Sequence, residues 1–152
     1  MAIQYAKLAG AYVITTASGA QREFLLSLGA DQIINYETES FEKILNNIDL
    51  VIDLIGGKVG ISSLKTLKSD GRIVTVPTIT KDEILTEAKK LGINATGMVS
   101  ETIPEDLKKI SELEADNKTK LLISRTFKIK EAAKAHEALA MPNNRGKIVL
   151  VA

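Results

Sequence analysis

Residues 1–19, MAIQYAKLAGAYVITTASG, begin with a helix that hands over to a strand. Ile3, Tyr5 and Leu8 fall near one face at helical spacing, Gly10 stands where a helix stops, and Ala11–Thr16 reads as a buried strand. This is the helix-to-strand half of an α/β unit. A first strand and a glycine-rich phosphate loop are expected ahead of such a helix, and neither stands in the sequence before it.

Outward from that stretch the same alternation continues to the last residue. Short Val- and Ile-rich runs at Gln32–Tyr36, Leu50–Ile55, Arg72–Val76, Ile93–Met98, Lys120–Ser124 and Lys147–Val151 are the predicted strands. Helical patterns separate them, which is the mark of an α/β domain with a mostly parallel sheet flanked by helices. Phe24, Leu25 and Leu28 form a stripe closed by Gly29; Phe41, Ile44 and Leu45 form a shorter one behind Ser40. Ile61, Leu64 and Leu67 recur every three residues, and Ile84, Leu85, Ala88 and Leu91 lead to a stop at Gly92. In PEDLKKISELEAD, Pro104 suits the first turn, Glu105 and Asp106 favour its positive end, and Leu107, Ile110 and Leu113 are expected to face inward. Ala132, Ala135, His136 and Leu139 mark a last helix, broken by MPNNRG.

Composition narrows the class. The chain has 152 residues, 45% of them hydrophobic, enough for one domain with its own core. Twenty Lys plus Arg against nineteen Asp plus Glu leave a net charge of +1, with both signs scattered, so no nucleic-acid footprint is expected. There is no cysteine and one histidine, which argues against a disulfide framework and a thiolate or His-rich metal site. No apolar run approaches the roughly 20 residues that cross a bilayer, so no membrane span is expected and a cytoplasmic location is.

In an open parallel sheet the ligand crevice lies beyond the carboxyl ends of the strands, here TTASG, NYETES, IDLIGG and TVPTIT. An acidic residue at the first of these would bond the ribose 2′-hydroxyl of NAD and repel the 2′-phosphate of NADP. Thr15, Thr16, Ala17 and Ser18 offer hydroxyls and no carboxylate, and Arg22 lies one turn further on. That favours a phosphorylated ribose, although a Ser–Gly stretch before a helix is also a plain N-cap. Gly56 and Gly57 allow close ligand approach or simply a tight turn. Asp49 and Asp53 are read as hydrogen-bonded structural carboxylates before an acid–base pair, and His136 as a packing residue.

AIQYAKLAGAYVITTAS, FLLSLGADQIINY, DLVIDLIGG, LKTLKSDGRIVTVP, PEDLKKISELEAD, FKIKEAAKAHEAL and RGKIVLVA, in this order, resemble the C-terminal, cofactor-binding portion of the zinc-independent medium-chain dehydrogenase/reductases. This is the quinone oxidoreductase-like group often labelled zinc-binding dehydrogenases. The resemblance covers essentially the whole chain, and LGADQIINY followed by VIDLIGG is its most specific part. It implies a Rossmann-like nucleotide-binding domain over 1–152 that lacks the first strand and Gly-rich loop, with 120–152 as the family's C-terminal return segment and the N-terminal catalytic domain absent.

The resemblance further implies an NADP(H) cofactor in the parent, no metal, and hydride transfer to a quinone or activated alkene. Without the phosphate loop, this chain alone should bind weakly or not at all and be inactive. Ser18 and Tyr36 match a 2′-phosphate pattern whose basic position falls at Gln21, beside Arg22. Gly56 and Val76–Pro77 match strand ends on the nicotinamide side, and Arg145 and Lys147 match a C-terminal basic pair. The alternative is a non-catalytic remnant or interaction module that binds no nucleotide; a methyltransferase-like domain is disfavoured by the missing acid at Ala17–Ser18. In the usual strand order the first strand is central. Its absence leads us to expect GKIVLVA to pair locally, or two chains to exchange elements in a homodimer.

Overall fold

The structure is a computed structural model that describes residues 1–141 and 145–152. Among the described residues the chain runs α1 (Ala2–Leu8), β1 (Ile14–Ala17), α2 (Arg22–Ser27), β2 (Gln32–Asn35), α3 (Phe41–Ile44), β3 (Ile48–Asp53), α4 (Gly57–Leu64), β4 (Leu67–Thr75), α5 (Lys81–Lys90), β5 (Asn94–Gly97), α6 (Pro104–Ala115), β6 (Ile123–Lys128), α7 (Ala132–Ala140) and β7 (Lys147–Val151). Short 3-10 turns stand at Gly19–Gln21 and Ile129–Glu131. Every strand pairing is parallel, in ladders β1–β2, β3–β4–β5 and β6–β7, with helices between the strands. The α/β class with parallel strands is therefore as the alternation required. Part of the expected MPNNRG break, Pro142 to Asn144, lies outside the described residues.

The chain divides into two compact units, Glu39–Thr102 and the pair of stretches Met1–Thr38 and Ile103–Ala152. In the continuous unit, Leu64, Ile73, Ile84 and Ala88 form the buried core, with Val51, Ile61, Leu67, Ile93 and Ala95 packed around it. Full burial of Leu64, Ile73 and Ile84 contributes about 1.5–3 kcal/mol each, and that of Ala88 less. Leu67 does not continue the α4 stripe as expected. The helix stops at Leu64, where the Thr66 hydroxyl donates to the Ser63 carbonyl at 2.8 Å, and Leu67 opens β4. β4 thus starts earlier than its apolar run, because LKSDG reads as a loop yet pairs with β3 across an irregularity between Ile48 and Leu50. Gly71 makes this possible: a Cβ there would stand 2.8 Å from the Ile48 carbonyl oxygen.

In the two-stretch unit, Ala17, Ala30 and Ile33 are buried with Ile3 and Leu25 against them. Gly10, at φ +78°, ends the first helix as its position suggested. The Lys7 ammonium meets the Asp31 carboxylate at 2.8 Å and the Ala11 carbonyl at 2.9 Å, and the same carboxylate accepts from the Val13 amide at 2.6 Å. One carboxylate thereby fastens the end of α1, the entry to β1 and the entry to β2. Lys7 and Val13 together hold the Asp31 carboxyl below its usual range, with the lysine hydrogen bond as the larger cause.

The later stretch shows three departures. β6 begins at Ile123, not Lys120, because the Lys120 amide donates to Gln4 Oε1 at 2.7 Å and the Leu121 amide to Glu114 Oε2 at 3.0 Å, so side chains take the place of a ladder. Leu107 and Ile110 do not face inward: they are 51% and 39% exposed, since periodicity sets a shared face but supplies nothing to cover it. On α7 the buried residues are Ala135 and Ala138, while His136 is exposed. The terminal GKIVLVA strand pairs within the chain, Lys147–Val151 against β6.

Candidate functional site

The residues to place are those after the strand ends. β1 and β2 run side by side with Ala17 opposite Asn35, so the tails that follow them, Ser18–Gly19 and Tyr36–Glu37, emerge together. The Tyr36 amide donates to the Ala17 carbonyl at 3.2 Å, which extends the pairing to the mouth of the crevice. Ser18 is in extended conformation, and its side chain makes no capping hydrogen bond to the turn that follows. The plain N-cap role is thus not the one its hydroxyl plays, and Tyr36 beside it is 60% exposed.

Two of the basic candidates, Arg22 and Arg145, donate to backbone carbonyls. Arg22 places Nη1 3.4 Å from the Ile33 carbonyl, lying back along β2. Arg145 donates through Nη2 to the Ala20 carbonyl, in the turn after Ser18, and its guanidinium lies 5.6 Å from the centre of the Phe24 ring. It also borders a hollow of about 390 Å³ with Phe24, Ser27, Leu28, Lys120 and Leu122. Lys147 opens β7 with its side chain exposed, and its amide donates to the Leu122 carbonyl at 2.8 Å. Ser18, Tyr36 and Arg145 are therefore gathered at the end of the β1–β2 pair, whereas Arg22 lies back along β2 and Lys147 starts a different ladder.

In the other unit, Asp53 organises the strand ends. Its carboxylate accepts from the Ile55 and Gly56 amides at 3.0 and 2.8 Å and from the Thr75 hydroxyl at 2.8 Å, while its carbonyl receives the Val76 amide at 3.0 Å. At 4% exposure, a carboxylate is stable only with such donors. Asp53 is thus a structural residue and Asp49 an exposed partner of Lys68, as their sequence context suggested. Asp53 alone brings Gly56 and Val76 together. Gly56 has φ +80°, and a Cβ there would press on the Thr80 hydroxyl and stand 3.0 Å from Pro77 Cβ. The Thr80 hydroxyl oxygen is withdrawn from solvent and has no hydrogen-bond partner. Ile55 and Ile79, 71% and 98% exposed, stand in the loops around it.

One participant lies within the strand-end motif NYETES without being singled out there. The Glu37 carboxylate accepts from the Gly19 amide at 3.1 Å, and the Glu37 amide donates to Asn35 Oδ1 at 3.0 Å. An acid is therefore delivered to the end of β1 from the neighbouring strand. Its signal in the sequence, a Glu directly after INY, has meaning only once the two strands are known to be paired. Among the described residues no group of three or more His, Cys, Asp or Glu side chains could hold a metal, and no helix is long and apolar enough to cross a membrane.

Parallel strands with backbone-lined ends fit the dinucleotide domains, and the model of the zinc-binding dehydrogenases matches residues 28–150. The chain belongs to the zinc-binding dehydrogenase family. A structure of the quinone oxidoreductase from Coxiella burnetii is similar at 44% identity and a TM-score of 0.92, over 98% of this chain and 47% of that one. An acryloyl-coenzyme A reductase from Metallosphaera sedula is 28% identical over 98% of this chain and 46% of its own length. A zebrafish (Danio rerio) relative described as a mitochondrial NAD(P)H oxidoreductase, RTN4IP1, is 33% identical over 74% of this chain and 29% of its own. This zinc-binding dehydrogenase chain spans about half the length of the relatives that it matches end to end.

Proposed function

We propose that this chain is the cofactor-binding portion of a nicotinamide-dinucleotide-dependent oxidoreductase whose complete form passes hydride to a quinone or an activated alkene. The observation that carries the reading is the state of the strand ends: Ser18 leaves its capping role unfilled, and Gly56 keeps a side-chain-free approach beside the orphaned Thr80 hydroxyl. A backbone approach without a Cβ beside an unpaired hydroxyl suits a sugar-phosphate and carboxamide ligand. The bound dinucleotide would supply the hydride chemistry. The chain's own residues would orient its adenosine end: Ser18 and Tyr36, which the β1–β2 pair brings side by side.

No side chain here is assigned to proton transfer, and the chain alone is inactive in this reading. A second reading of the cofactor, NADPH, is favoured by the Ser18 and Tyr36 hydroxyls, with Arg145 in the turn beside them. The homologous relatives described as quinone oxidoreductase and acryloyl-coenzyme A reductase support the substrate class.

Titration of the purified chain with NADPH and NADH to millimolar concentration, followed by cofactor fluorescence, tests the reading. Saturable binding that Ser18→Asp weakens for NADPH is the expected outcome. No saturable binding of either cofactor would leave a Rossmann-like remnant that acts as a structural or interaction module.

A further inference from the structure

The hollow that Arg145 borders lies on the flank of α2, and neither Ser18 nor Tyr36 lines it. Phe24, Ser27 and Leu28 share one helix face and make one wall. Lys120 and Leu122 make the facing wall, and their backbone is pinned. Gln4 Oε1 accepts from the Lys120 amide at 2.7 Å, Gln4 Nε2 donates to the Lys120 carbonyl at 3.1 Å, and the Lys147 amide donates to the Leu122 carbonyl at 2.8 Å. Gly146, at φ +78°, carries the chain so close that a Cβ would press on that same Leu122 carbonyl. Arg145, next to it, is held by the Ala20 carbonyl and lies over the Phe24 ring. The walls are therefore in place before a ligand arrives.

Both charges that line the hollow are positive. Arg145 gives one N–H to Ala20 and keeps its charge and its remaining donors. The Lys120 ammonium forms no ion pair among the described residues. Glu114, an acid beside that segment, turns its two oxygens to the Thr119 hydroxyl at 2.8 Å and the Leu121 amide at 3.0 Å. The Ser27 hydroxyl donates to the Phe24 carbonyl at 2.7 Å, so the two cations are the donors left for a ligand. Phe24, Leu28 and Leu122 supply an apolar surface beside them. A carboxylate suits the guanidinium and the ammonium, and an apolar chain suits the rest. At about 390 Å³ the hollow has the volume of a small-ligand site. We infer that it is a separate binding site for a monocarboxylate with a short apolar chain. The inference does not rest on the dinucleotide reading, because it uses no strand end.

The test titrates hexanoate into the full chain at low salt and follows the NMR shifts of the Leu28 and Leu122 methyl groups. Hexanol and inorganic phosphate are titrated in parallel. Hexanoate should shift both residues saturably with a Kd of about 1 mM, and each of the other two probes should bind about tenfold more weakly. Lys120 is exposed, so substitutions there should leave the rest of the spectrum unchanged. Lys120→Gln should weaken hexanoate about tenfold and Lys120→Arg should retain it. Added salt should weaken hexanoate and leave hexanol as it was. Three results would overturn the inference: no saturable shift of these methyl groups at tens of millimolar hexanoate, equal affinity for hexanoate and either other probe, or equal affinity in the parent chain and Lys120→Gln.

Discussion

Asp31 illustrates how much one side chain settles. Its folded-state pKa lies below the unfolded value of 3.8, because Lys7 and the Val13 amide favour the charged form. Its contribution to stability is thus complete above that value and is lost as pH falls through the folded-state pKa. Thermal unfolding followed between pH 7 and pH 2 should show Asp31→Asn with a lower Tm at neutral pH and a gap from the parent chain that closes below about pH 3. At this scale the sequence was legible where residue type alone carries the meaning: the hydroxyl of Ser18, the missing Cβ of Gly56, the buried partnership expected of Asp53. It marked the stretches NYETES and TVPTIT without singling out Glu37 or Thr80 within them. Their roles depend on which neighbour the fold puts beside them, and a strand pairing or a loop closure is not written in local spacing.

At the scale of elements, the seat of α4 is the telling case. Gly60 brings this helix so close to β3 and α5 that a Cβ would stand 2.7 Å from Asp53 Oδ2 and press on the end of Ile84. Gly60→Ala would gain about 1 kcal/mol of helix propensity and lose about 2–3 kcal/mol by overpacking a carboxylate that already serves three donors. Urea unfolding should therefore find the variant less stable by about 1–2 kcal/mol, with the slope unchanged. Helix and strand identities were readable because glycine stops and apolar runs are local signals. Boundaries were less so where a side chain substitutes for a ladder, as Gln4 and Glu114 do before β6, or where a bulge lets a polar run such as LKSDG join a strand.

For the whole molecule, the alternation of strands and helices made the α/β class and the parallel ladders legible, and the order of the family segments did the rest. What α6 packs against was not legible, for the amphipathic pattern is identical whether its face is covered or bare. With Leu107 and Ile110 substantially exposed, Leu107→Asp and Ile110→Asp should each shift stability by no more than about 0.5 kcal/mol. A loss several times larger, together with a drop in sedimentation coefficient, would mean that a second copy of the chain lies on this stripe. The division of the chain into an uninterrupted unit and one assembled from two separated stretches also bears on its synthesis. Glu39–Thr102 has all of its core in hand once the ribosome has passed that segment. The stretch before it must wait for Ile103–Ala152, because Gln4 finds its partner only when Lys120 has been made. The middle of the polypeptide is therefore able to mature before its beginning.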